Sequence, residues 1–210
     1  MRKMVSGPIR DKERTKAKLI KTIGKIIKTG GFHQLKVTKI AETAGVHRKL
    51  IYEYFGSVEN LVSEYLWLQD YGSSAQKIHF SEIDFSDSGK DYSKMLLAKM
   101  WDALAENKEL QKIIIWELSE HNEILRRLSD QREELGMKLF NQVMLPYFKE
   151  NEKKYRAILA ILISATYYLS LHAESNGSLF AGLDIHQSED RQTINEAMND
   201  IIEMAYEKYK

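Results

Sequence analysis

The 210-residue chain has no cysteine, 2 prolines and almost no net charge, formally +1 at neutral pH. Without cysteine there is no disulfide scaffold, no thiol nucleophile and no Cys-ligated zinc, iron-sulfur or haem site. That absence suits a reducing cytoplasm, the expected location. Long hydrophobic runs are also missing. The greasiest stretch, Ala157 to Leu171, is 15 residues and contains Ser164, Thr166 and Ser170, short of the roughly 20 needed to span a bilayer. The N-terminus carries Arg2, Lys3, Arg10, Lys12 and Arg14 but no apolar segment of a secretory leader, so neither export nor a membrane partner is expected. Catalytic signatures are scarce in the same way. There is no HExxH, GxSxG or Gly-rich phosphate loop, and the six histidines are dispersed at 33, 47, 79, 121, 172 and 186. His172-Ala173-Glu174 has the outline of a deaminase HxE, but the cysteine ligands of that chemistry are lacking. The expectation is a protein that is not an enzyme, with no metal and no cofactor.

What is present is an ordinary globular composition, 43% apolar and 29% charged, long enough for one or two domains. The charge is unevenly placed. Residues 1–65 hold 14 Lys/Arg against 6 Asp/Glu, leaving 17 against 24 for the remainder. A basic end on an otherwise acidic chain points to a polyanion partner.

Helical periodicity dominates. Leu19, Ile20, Ile23, Ile26 and Ile27 share one face of a helix predicted over 12–28, with Gly30-Gly31 ending it. Val37, Ile40 and Ala41 mark a short helix over 37–43. Ala44-Gly45-Val46 forms a turn, and Leu50, Ile51, Tyr54 and Phe55 mark a third helix over 47–54 with Tyr54 and Phe55 as core. Gly56-Ser57 closes it, Ser57 capping a fourth helix that runs to about Tyr71. After a loop over 81–90, further helices are predicted over 91–105, 108–119, 122–150 with a break near Pro146, 152–174 and 189–209. No strand is predicted. The fold class is therefore all-α.

Short helix, glycine turn and second short helix form the layout of a helix-turn-helix, whose second helix enters the major groove. His47, Arg48 and Lys49 open that helix. Arg48 is the candidate for a base contact, since its planar fork pairs bidentately with guanine. The run GFHQLKVTKIAETAGVHRKLIYEYFGSVENL, Gly31 to Leu61, resembles the DNA-binding domain of the TetR (tetracycline repressor) family of bacterial regulators. The matching positions include Gly31, Phe32, Val37, Ile40, Ala41, Ala44, Gly45, Val46, Tyr52, Phe55 and Leu61. The resemblance implies a homodeomain-like three-helix head over residues 1–56 and a helical effector-binding and dimerisation domain over 57–210. It further implies double-stranded DNA as partner and assigns Lys36, Thr38 and Tyr52 to phosphates. The chain departs from the family at Lys36, His47, Lys49, Leu50 and Val58, where Thr, Ser, Gly, Thr and Lys are common. Losing the Ser cap at 47 costs about 0.5–2 kcal/mol unless His47 or Thr43 compensates.

The function this implies is a regulator, expected to be a repressor, that binds a pseudo-palindromic operator as a homodimer and is released by a small-molecule effector. The rival reading is a helical sensor or interaction module of the same fold that no longer reads DNA. Candidate effector residues are Trp67, Tyr71, Trp101, Trp116, Glu117, His121, Tyr168 and His172, aromatic or polar positions on otherwise apolar helices. Glu117 and His121 are alternatively an i,i+4 pair satisfied by each other. The segment from 157 to 171 is apolar nearly all round, and the last helix has one sustained apolar stripe, so the two are expected to meet the same pair of a second copy. Candidate interface residues are Ile158, Leu162, Leu169, Ile194, Met198, Ile201, Ile202 and Ala205.

Overall fold

The computed structural model describes residues 8–69 and 84–209. These fall into two compact units, one drawn from residues 1–73 and 120–129, the other from 74–119 and 130–210.

The first unit begins with α1 (Pro8–Gly30), whose opening proline has a φ already suited to the first helical turn. Leu19, Ile23, Ile26 and Ile27 are fully buried along it, while Ile20 lies half-buried at the edge of the stripe. Gly31 alone makes the positive-φ turn, at +73°, and Gly30 stays helical. A 3-10 turn at Phe32–Gln34 leads to α2 (Val37–Ala44) and α3 (Lys49–Phe55). The next helix, α4 (Val58–Gln69), buries Leu61, Val62, Tyr65 and Leu66 and packs on α1 and α3. It is part of the first unit, although the sequence reading assigns it to the second domain as its connection. The Ser57 hydroxyl accepts the Asn60 N–H at 3.1 Å, capping α4 as expected. Asn60 does not close a capping box; its side chain donates to the Phe55 carbonyl at 2.8 Å. The predicted continuation to Tyr71 lies outside the described residues.

The second unit holds α5 (Lys90–Glu106), α6 (Lys108–Ser119), most of α7 (Glu123–Leu139), the single turn α8 (Leu145–Phe148), α9 (Glu152–Asn176) and α10 (Ser188–Lys208). The Asp87 carboxylate accepts the N–H groups of Gly89, Lys90 and Asp91 and so starts α5. The break near Pro146 takes a specific form. Pro146 cannot donate to the carbonyl four residues back, and the preceding turn, Phe140–Met144, widens into a π-helical turn. Two short strands depart from the all-helical expectation. β1 (Leu179–Phe180) pairs antiparallel with β2 (Leu183–Asp184) through Ala181 and Gly182, at φ +51° and +84°. Two positive-φ residues make a tight hairpin, which Asn-Gly would have signalled and Ala-Gly does not.

The core of this unit is aromatic. Phe148 stacks on Tyr155 at 4.0 Å between centroids, and Tyr206 meets both edge-on. Their hydroxyls are spent on partners: Tyr155 donates to Ser93 Oγ at 2.8 Å, and Tyr206 to the Ser88 carbonyl at 2.9 Å. Burial pushes both phenols above the ordinary tyrosine range, so they act as neutral donors tying α9 and α10 to the start of α5.

Candidate nucleic-acid interface

The turn between α2 and α3 is set by Gly45, at φ +59°, ψ +45°. Its N–H donates to the Glu42 carbonyl and the Val46 N–H to the Ala41 carbonyl, both at 3.0 Å, so the end of α2 is closed on itself. Helix α3 starts at Lys49, two residues later than predicted. Its first turn is 3-10-like, with Leu50 and Ile51 donating to the carbonyls of His47 and Arg48. His47 Nδ1 accepts the Lys49 N–H at 3.2 Å. The imidazole thus fills the capping role that the missing serine would have had.

Burying Ile51 and Phe55 leaves the opposite face of α3 outward. Lys36, Thr38, His47, Arg48 and Lys49 are all exposed, and Tyr52, one turn beyond Arg48, is 50% exposed. Between α2 and α3 lies a concavity of about 510 Å³ whose lining includes Thr38, Glu42, Gly45, His47 and Arg48. Arg48 is therefore available to a base edge instead of being tucked under other side chains. The sequence reading missed Glu42, exposed on this face one helical turn from Thr38; only that spacing signals it. Two lysines of α1 are partly spent on packing, Lys12 over Tyr54 at 5.4 Å and Lys16 over Phe55 at 5.9 Å. Tyr54 is half-buried beneath Lys12, not full core.

The candidate effector residues are divided between the two units. Trp67 is half-buried in the first unit, His121 belongs to that unit as well, and Tyr71 lies outside the described residues. Helix α6 ends at Ser119, which removes the i,i+4 relation of Glu117 and His121. Glu117 accepts from Arg132 at 2.7 Å and His121 pairs with Glu123 at 3.1 Å. Trp116 is buried in the second unit. Tyr168 and His172 stack at 5.6 Å, with Phe180 of the hairpin edge-on to both. Trp101 alone borders a cleft, of about 470 Å³, among α5, α9 and α10. Among the described residues no group of His, Asp and Glu is placed to hold a metal ion.

Most of the candidate interface residues face inward within one protomer. Leu162, Met198, Ile202 and Ala205 are buried at 3%, 4%, 0% and 2%, and Ile158, Leu169 and Ile194 pack against that same core. The strongest apolar stripe of α10 serves its own protomer, because α10 packs on α5 and α9. Ile201 is exposed, as are Met204 on the same helix and Ile161 and Tyr168 on α9.

A left-handed glycine turn between two short helices, with the basic start of the second held outward, defines a helix-turn-helix of the DNA-binding kind. Residues 19–65 match the model of the bacterial regulatory proteins, tetR family. Residues 19–65 therefore form a DNA-binding domain of the tetR type. No curated protein matches the sequence. Solved structures share the fold. A transcriptional regulator FadR from Bacillus subtilis, in complex with stearoyl-CoA, aligns at TM-score 0.61 and 18% identity over 89% of this chain and 96% of its own. The fatty acid degradation regulator FadR from Bacillus halodurans aligns at 0.56 and 15% identity over 95% and 96%. NalD, the secondary repressor of the MexAB-OprM multidrug efflux pump in Pseudomonas aeruginosa, aligns at 0.53 and 15% identity over 91% and 95%.

Proposed function

We propose that the chain is a cytoplasmic, ligand-responsive repressor. It binds a pseudo-palindromic operator as a homodimer and is released by a small-molecule effector. Residues 1–56 act as the DNA head and 57–210 as the sensing and dimerising part. The observation that carries the DNA reading is the outward face of α3, where Arg48 and Lys49 stand exposed beside the Gly45 turn. Arg48 reads a base edge, Lys49 and His47 approach the same groove, and Lys36, Thr38 and Tyr52 hold phosphates. Dimerisation is supported by Ile161, Tyr168, Ile201 and Met204, apolar surface that a second copy would cover. Effector release is supported by likeness of fold to a regulator solved with stearoyl-CoA and to a repressor.

The test is titration of the full chain against the DNA upstream of its own gene and against scrambled duplex, at several salt concentrations. A steep salt slope with preference for a two-fold-symmetric site is expected. Equal, weak binding to both duplexes would overturn the reading.

A further inference from the structure

The imidazole of His47 has two nitrogens, and the fold uses one of them. Nδ1 accepts the Lys49 N–H at 3.2 Å. A nitrogen that accepts there carries no proton, so the proton of the neutral ring sits on Nε2. The two ring nitrogens point in roughly opposite directions. With Nδ1 turned to the start of α3, the Nε2–H is turned away from it. No other hydrogen bond of this ring forms among the described residues, and the residue is exposed. A serine here would cap the helix with its one polar atom close to the backbone. Histidine caps it and keeps a donor in a fixed direction to spare.

The place of that donor limits what it can meet. His47 lines the concavity between α2 and α3 together with Thr38, Glu42, Gly45 and Arg48. The exposed Glu42 carboxylate offsets the Arg48 charge there, so a phosphate gains little by entering, whereas a neutral acceptor is not repelled. The major groove presents neutral acceptors on its base edges, and N7 is the one that both purines share. We propose that His47 is a second base-reading residue beside Arg48. Its Nε2–H donates to the N7 of a purine while Nδ1 holds the start of α3, an inference that rests on the DNA-binding reading above. A single N–H has no fork with which to take O6 and N7 together, so it marks a purine without separating guanine from adenine.

Two variants divide the role. In His47→Asn the side-chain oxygen replaces Nδ1 as acceptor for the Lys49 N–H, and nothing reaches as far as Nε2 did. In His47→Gln the amide N–H reaches that far, but the acceptor close to the backbone is gone. The full chain is titrated by fluorescence anisotropy against scrambled duplex and against its operator, with 7-deazapurines, which lack the N7 acceptor, placed one at a time in one half-site. At one position the deaza base weakens wild-type binding by roughly 3- to 10-fold and leaves His47→Asn binding unchanged. On the unmodified operator His47→Asn binds more weakly by at least that factor, and on scrambled duplex it equals the wild type. His47→Gln keeps part of the deaza effect. Nitrogen-15 NMR of the free protein in mildly alkaline buffer finds the His47 proton on Nε2. A wild-type chain that does not distinguish operator from scrambled duplex overturns the DNA-binding reading and this role with it. Where the wild type does distinguish them, three results overturn the role alone: a proton on Nδ1, a His47→Asn loss equal on both duplexes, which is a phosphate contact, or no position whose deaza penalty His47→Asn removes.

Discussion

Arg48 and Lys49 are adjacent, exposed and equally charged, yet their removal is expected to fail differently. Arg48 stands at the concavity beside Gly45, where a guanidinium can pair two bonds with a guanine edge. Arg48→Ala should cost about 1–3 kcal/mol on the operator and relax the choice of base at one position. Lys49→Ala should weaken operator and scrambled duplex alike and lower the salt slope by roughly 1. Fluorescence anisotropy on both duplexes at several salt concentrations separates the two; identical losses on the two duplexes for Arg48→Ala would deny it a base contact. These positions were legible in the sequence because the Gly45 turn fixes where the next helix starts, and its first residues are the ones presented. The cleft was not legible. Its lining includes Ala98, Ala105 and Ala173, residue types that leave no mark in a sequence. The conspicuous aromatics and histidines misdirect, since a helix uses Trp116 to fill a core as readily as to line a pocket.

At the scale of elements, two contacts hold parts of the molecule that sequence periodicity could place but not join. The α2–α3 turn depends on Gly45 at φ +59°, where an added Cβ would meet only the Lys18 ammonium at 3.8 Å. The penalty for a side chain is therefore conformational, not steric. Gly45→Asn should be tolerated with a small loss, whereas β-branched Gly45→Val should cost about 1–2 kcal/mol, read from urea denaturation midpoints. In the second unit, Lys90 and Lys94 of α5 both bond Glu203 of α10, the first at 2.9 Å. The hydrogen bond from Lys94, then that from Lys90, holds the Glu203 carboxyl below the ordinary glutamate range. A carboxyl depressed in the folded state contributes stability above its unfolded pKa and loses it as pH falls through the folded value. Glu203→Gln should thus lower the melting temperature modestly at neutral pH, because the pair is partly exposed. That difference should shrink as pH falls below the ordinary glutamate range and vanish only once the depressed carboxyl is itself protonated; one that persists unchanged in strong acid would assign the effect to packing. Helix positions were readable to within a residue or two for most of the chain, because 3.6-residue periodicity reports burial directly. The π-helical turn before Pro146 and the Ala181–Gly182 hairpin depend on local backbone geometry that leaves no periodic trace.

At the scale of the whole molecule, association depends on which apolar surface remains uncovered. An 18-residue window within Glu123–Asn176 is apolar enough to pass for a membrane span, and only 28% of it is buried. Apolar side chains left outward on the two long C-terminal helices are the surface that the proposed second copy would cover. Ile161 and Tyr168 on α9 are 67% and 54% exposed, and Ile201 and Met204 on α10 are 37% and 57% exposed. The stripe that sequence periodicity selects on these two helices turns inward, because periodicity finds the most apolar face and a protomer buries that face first. Ile161→Glu with Met204→Glu should convert a dimer to a monomer in sedimentation equilibrium, with helical content intact. Operator affinity should fall by two orders of magnitude or more, about 10²–10⁴, since linked half-sites lose their shared effective concentration. Ile202→Ala, by contrast, removes a side chain that is 0% exposed, and should lower stability by about 2–5 kcal/mol while leaving the association constant of the folded protein in place. A wild-type chain that sediments as a monomer at the concentrations where it binds its operator would exclude the dimer. An Ile202→Ala variant that dissociates without losing stability would instead put the interface on the inward stripe.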